Sequence, residues 1–149
     1  MKRIRKELSR FNTAQESGQY SWIKFHIGDD LYKHDVEIIG PTGTPYEGML
    51  IKFQTKLPTA YPFNSPTINL MSNIIHLNVE SETNSFCKNL ITGKWKATHK
   101  IIDCYERIYN LLSNPSQESP LNLELGNLYS GNKTEYYKVV KQHCELYCT

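Results

Sequence analysis

Apolar residues recur along this chain in distinct rhythms, and the changes of rhythm divide it into elements. Ile4, Leu8 and Phe11 stand at i, i+4 and i+7, the inner face of an opening helix, and Lys2, Arg3, Arg5, Lys6 and Arg10 fill its remaining surface. From Tyr20 the pattern changes to aromatic and β-branched runs, Tyr20–Ile27, Leu31–Ile39 and Met49–Phe53, with Thr67–Leu70 as a short fourth. Turn residues at 28–30 and 40–45 separate the first three, which predicts an antiparallel meander. Three prolines, Pro58, Pro62 and Pro66, exclude helix and ladder between the third and fourth strands and predict an ordered, extended loop. Helical spacing returns at Ile101, Tyr105, Ile108 and Leu112, with Thr98 as the expected N-cap and Asn114-Pro115 as the stop. Ser119-Pro120 reads as N-cap and first turn of a third helix through Tyr129, and Gly131-Asn132 sets it off from a last helix near Lys133–Tyr147. The order is one helix, a four-stranded antiparallel meander, a loop and three helices: an α+β domain spanning residues 1–149.

Cys87 does not fit any of these stripes. It lies in a polar, turn-like stretch, His76-Leu77-Asn78-Val79-Glu80-Ser81-Glu82-Thr83-Asn84-Ser85-Phe86-Cys87-Lys88-Asn89. A thiol placed for packing has apolar neighbours at helix or strand period, whereas this one follows a single Phe and precedes Lys88 and Asn89. Its context points to chemistry.

Composition narrows which chemistry. A chain of 149 residues buries about 70% of its unfolded surface without metal or disulfide staples. Its 17 basic and 15 acidic residues leave a net charge of +2, so no strong field favours nucleic acid or an anionic membrane. No apolar run approaches the roughly 20 residues that span a bilayer, and the start lacks a signal-peptide pattern, so a cytoplasmic or nuclear setting is expected. There the cysteines at 87, 104, 144 and 148 stay reduced. His143-Cys144 with Cys148 has no second Cys/His pair at matching spacing, and no metal or cofactor is expected.

In this arrangement the chain resembles the catalytic domain of ubiquitin-conjugating enzymes. The residues that carry the likeness are Gly40-Pro41 with Pro45-Tyr46-Glu47-Gly48, Pro58-Thr59-Ala60-Tyr61-Pro62-Phe63 with Pro66, and His76-Leu77-Asn78 before Cys87. Trp95, Asn114-Pro115 and Ser119-Pro120-Leu121 follow in the family's order, so that the likeness covers essentially the whole chain. The resemblance implies that Cys87 accepts the C-terminal carboxyl of ubiquitin or a ubiquitin-like protein as a thioester from an activating enzyme. It then passes the acyl group to a substrate lysine or a ligase cysteine. A thiolate suits both steps, being a good nucleophile and a tolerable leaving group. Asn78 matches the family's asparagine, which either donates to the oxyanion or braces the loop. His76 is read as a structural, buried imidazole.

Departures from the family pattern are as informative. Leu77 stands where the family has proline, which removes a constraint on φ. The interval from His76 to Cys87 is one residue longer than usual and contains Glu80 and Glu82. Asn89 and Ser119 occupy positions where many members carry acids, so both usual carboxylates are missing; phosphorylation of Ser119 would restore a negative charge. Roughly one incoming lysine in 2,500 is neutral at pH 7, which is why a carboxylate helps. Lys88 favours the thiolate but repels an ammonium.

Lys2, Arg3 and Lys6 match basic positions that activating enzymes and ligases use, and Phe63 matches an exposed loop aromatic. Ala97 lies in an altered ligase contact, Lys96-Ala97-Thr98, and whether a RING or a HECT ligase is met stays open. Glu106 on the long helix weakens apolar docking of a donor modifier unless that modifier offers a cation. The main alternative is a conjugating-fold adaptor that binds ubiquitin or a partner enzyme without efficient catalysis.

Overall fold

The computed structural model describes residues 2–118 and 120–147. Helix α1 (Lys2–Glu16) buries Ile4, Leu8 and Phe11, the three positions its spacing selects. It ends in a turn where Gly18 takes φ +96° and Tyr20 takes φ +55°. The Gln15 side-chain amide donates to the carbonyls of Tyr20 and Ile23, 3.1 and 2.7 Å away. A left-handed residue cannot continue a strand, so β1 is Ile23–Ile27 and starts three residues later than the run of aromatics suggests.

Strands β1, β2 (Lys33–Ile39), β3 (Leu50–Lys56) and β4 (Thr67–Leu70) form one antiparallel sheet in chain order. Registers such as Phe25 against Val36, Val36 against Phe53 and Phe53 against Leu70 align the inward residues. Strand β2 begins after Leu31 because Asp30 folds the chain back: its carboxylate accepts from the Tyr32 amide at 2.9 Å and its carbonyl from the Lys33 amide at 3.2 Å. Strand β3 runs on past Phe53 because Thr55 still faces the core, where its hydroxyl meets the Tyr105 hydroxyl at 2.5 Å. Gly40 permits the β2–β3 link, since a Cβ there would lie 1.7 Å from the Tyr46 carbonyl oxygen.

The proline segment is coiled into turns rather than extended, with Tyr61 and Phe63 amides donating to Pro58 and Ala60 carbonyls and a cis Tyr61–Pro62 bond. The chain then makes a small hairpin of β5 (Val79–Glu80) and β6 (Ser85–Phe86), followed by a one-turn helix, α2 (Lys88–Ile91). Neither is visible as periodicity, because two or four residues are too few to show any.

Helix α3 (Ile101–Ser113) crosses the inner face of the sheet. Tyr105 packs edge-on against Phe25 and Phe53, and Trp22 stacks on Tyr109 at 4.1 Å. Its N-cap is Lys100, not Thr98; the Asp103 carboxylate accepts from the Lys100 amide and the Glu7 carboxylate from the Ile101 amide, both at 2.8 Å. Helix α4 (Leu123–Gly131) is capped three residues beyond the expected Ser119, at Asn122, whose side chain accepts from the Leu125 amide. Leu121 and Asn122 amides instead donate to the Leu77 carbonyl, which delays the helix and ties this segment to the loop before Cys87. Asn132 ends α4 with its amide and starts α5 (Lys133–Tyr147) with its side chain. Tyr136, Val140 and Cys144 are the buried stripe of α5. Fold class and element order are those the sequence predicts, with the hairpin and α2 added.

Candidate active site

The floor of the site is neutral and fully buried. His76, Leu77 and Asn78 have no exposed surface. His76 Nε2 lies 2.6 Å from the Leu111 carbonyl and must donate to it, while Nδ1 accepts from the Asn78 amide at 2.9 Å. These two contacts require the neutral imidazole with its proton on Nε2, and burial lowers the ring's pKa to about 4. With both nitrogens engaged under the core, His76 is a structural residue rather than a base.

Asn78 extends the floor sideways. Its Nδ2 donates to the Ser116 carbonyl and its Oδ1 accepts from the Ser116 amide, each at 2.8 Å. One side chain thereby mimics a backbone pair and clamps the α3–α4 connection to the loop before the cysteine. Of the two roles the family offers, the geometry is that of a brace. Leu77 fills core space where a proline is usual, and its carbonyl receives the Leu121 and Asn122 amides, so packing and hydrogen bonds supply the constraint that the ring would have imposed.

Cys87 sits at the end of the β5–β6 ladder and at the N-cap position of α2. Its amide donates to the Asn78 carbonyl at 3.0 Å, and its carbonyl accepts from the Leu90 amide at 3.1 Å. Arg107 of α3 supports α2 from the other end by donating to the Ile91 carbonyl at 2.8 Å. Of the described cysteines, Cys104 and Cys144 are buried in the core and Cys87 is half-exposed. Burial pushes the Cys104 thiol up to about 12, which keeps it inert. Cys144 packs inward while the neighbouring His143 bonds Asn73 at 3.1 Å, so the two do not converge.

Lys88 and Asn89 are both exposed. Asn89 lines a shallow groove with Lys94, Lys96, His99 and Arg107, whereas Lys88 lines a different one between β4 and α2. Ser119 lies outside the described residues. Glu106 is exposed on α3 beside Tyr20, whose hydroxyl pKa is raised by burial and by a hydrogen bond to Glu106.

The expected partner residues divide. Lys2 and Lys6 are exposed, and Phe63 is 79% exposed beside Pro62. Arg3 turns inward: Nη1 and Nη2 donate to the Ala97 and His99 carbonyls, both at 2.7 Å, and Nε pairs with Glu7 at 3.1 Å. Its fork straps α1 to the 97–99 segment, so that Lys2 and Lys6 are exposed cations and Arg3 is committed within the fold. Half-buried Ala97 contributes its carbonyl to that strap. Glu7 in turn accepts from the Tyr61 hydroxyl, and burial together with that bond raises the hydroxyl's pKa. Glu7, Ser116 and Arg107 carry no sequence signal, because Glu7 and Arg107 act on backbone groups far away in the chain and Ser116 offers only its own backbone to Asn78.

The sequence profile of the ubiquitin-conjugating enzyme family matches residues 3–144. The chain belongs to this family. It is 32% identical over 124 residues to the ubiquitin-conjugating enzyme E2-24 kDa of Saccharomyces cerevisiae, covering 83% of this chain and 57% of that protein. It is 35% identical over 115 residues to the E2-21 kDa enzyme of the same yeast, covering 75% of this chain and 63% of that protein. The chain thus spans about six-tenths of the length of these two relatives. A Plasmodium yoelii protein solved as a candidate ubiquitin conjugating enzyme superposes with a TM-score of 0.84 at 29% identity, over 99% of this chain and 94% of that one. For a ubiquitin-conjugating fold, a half-exposed thiol above a braced neutral floor is the feature that has to be explained.

Proposed function

We propose that this conjugating-family protein carries ubiquitin or a ubiquitin-like protein as a thioester on Cys87. An activating enzyme supplies the acyl group, and a substrate lysine or a ligase cysteine receives it. The observation that carries this reading is the exposure and anchoring of Cys87. It is half-exposed between two short elements whose ends are held by Asn78 and Arg107, while Cys104 and Cys144 are sealed in the core. A sulfur that must take up and release another polypeptide's C-terminus needs access from solvent on a support that does not shift. Asn78 and His76 supply the support; Lys2, Lys6 and Phe63 supply exposed positions for an activating enzyme or ligase; no cofactor enters.

The test is to incubate the protein with activating enzyme, ATP and ubiquitin or a ubiquitin-like protein and to resolve the products without reductant. A reductant-sensitive adduct that disappears in Cys87→Ala is expected. If no modifier yields such an adduct, the protein is an adaptor on a conjugating fold.

A further inference from the structure

The β5–β6 hairpin has one face in the core and one in solvent. Val79 is buried, and its partner Phe86 packs against the rings of Phe53 and His76. Side chains alternate across a strand, so the neighbours of this pair, Glu80 and Ser85 on one side and Cys87 on the other, project to the opposite face. The register is continuous: Glu80 pairs with Ser85, Val79 with Phe86, and the Cys87 amide donates to the Asn78 carbonyl at 3.0 Å. Glu80 is therefore the diagonal neighbour of Cys87 on the outer face. In such a ladder diagonal Cβ atoms lie about 7–8 Å apart, within reach of a glutamate side chain.

The carboxylate is also oriented. Thr83 Oγ1 donates to Glu80 Oε2 at 3.0 Å and lies 2.6 Å from Ser85 Oγ, a short chain of hydroxyls that holds one oxygen and leaves the other open. Glu80 itself is exposed. Asn89, two places after the thiol in the chain, supplies no carboxylate. The extra residue before Cys87 falls in the same interval that brings Glu80 to this face.

Resting on the thioester reading of Cys87, we propose that Glu80 is the carboxylate that orients the incoming lysine and accepts its proton. A neutral amine attacks the thioester carbonyl carbon, forming the C–N bond. Glu80 takes one proton from the resulting ammonium; the C–S bond breaks and its electron pair leaves on Cys87 sulfur. Glu80 then returns the proton to the thiolate, so that isopeptide and free thiol are the net products and no further reactant is needed.

A single-turnover experiment tests this. The protein is charged with modifier, activation is stopped, and the adduct is followed with free lysine or with free cysteine as acceptor. Glu80→Gln is expected to charge normally, to discharge onto lysine about tenfold or more slowly at pH 7, and to discharge onto cysteine at the unaltered rate. Glu80→Asp should recover part of the loss, and the defect should shrink as pH rises toward 10, where about a quarter of lysine side chains are already neutral. Glu82→Gln should behave as wild type. Unchanged lysine discharge in Glu80→Gln overturns the proposal. So does an equal loss with lysine and cysteine, which marks a damaged hairpin, or a loss that follows Glu82 instead. Failure of the unsubstituted protein to charge at all removes the thioester reading and this inference together, and is distinguished by the absence of any adduct.

Discussion

Two polar clusters hold this molecule together near its site, and they are built from opposite materials. The floor under Cys87 uses an imidazole, a carboxamide and backbone groups, all neutral, with His76 and Asn78 wholly out of solvent. The strap at α1 uses a guanidinium and a carboxylate, and Arg3 keeps about a third of its side chain exposed while Glu7 keeps a tenth. Neutral groups that find every partner can be sealed completely; an ion must either keep some water or lose several kcal/mol of hydration. The loop that must not move is made of the material that can be buried, and the charged material is used at the rim.

The strongest way to break that comparison is to cut the floor. Asn78→Ala leaves the Ser116 amide and carbonyl without the pair they make with one side chain, and about 3 kcal/mol of stability should be lost. A urea midpoint within error of wild type, with only lysine discharge impaired, would make Asn78 an oxyanion donor rather than a brace.

Acid provides a second cut, nearly as large at its limit. His76 has a folded pKa of about 4, below the ordinary 6.5. Its protonation therefore occurs first in the unfolded chain, and stability present above pH 6.5 falls as pH drops from there toward 4. The full effect is about 3 kcal/mol from this ring, and His34, also lowered by burial, acts in the same direction. Ring-proton NMR should show His76 neutral down to about pH 5; titration near 6.5 would refute the buried neutral floor.

The smallest effect sharpens the rim. Arg3→Ala should destabilise by about 1–2 kcal/mol, because it frees two carbonyls and the Glu7 carboxylate, whereas Lys6→Ala should stay within about 0.5 kcal/mol. Charging by the activating enzyme should show the reverse order. Equal destabilisation by the two substitutions would mean that the strap carries no more than an ordinary surface cation.

Much of the fold is legible in the chain as written. The face of α1 and the meander follow from spacing, α3 from Ile101, Tyr105, Ile108 and Leu112, and the span of α5 from the break at Gly131-Asn132. Errors collect where hydrogen bonds from elsewhere set an end: Glu7 reaching the start of α3, Leu77 holding back the start of α4, and Gln15 securing the turn that delays β1. In the site, Cys87 stands out by its polar neighbours and Phe63 by its prolines. The brace from Asn78 does not, since its partner is 38 residues away.

Periodicity alone determined which faces are buried, and a polar context alone singled out one thiol of four. Hydrophobic burial is non-directional, so a repeating pattern is enough to encode it. Only the tertiary structure decided that Arg3 faces inward, that Asn78 clamps Ser116, and that Glu80 shares a face with Cys87. Hydrogen bonds and ladder registers are directional, and their partners exist only once distant segments have been brought together.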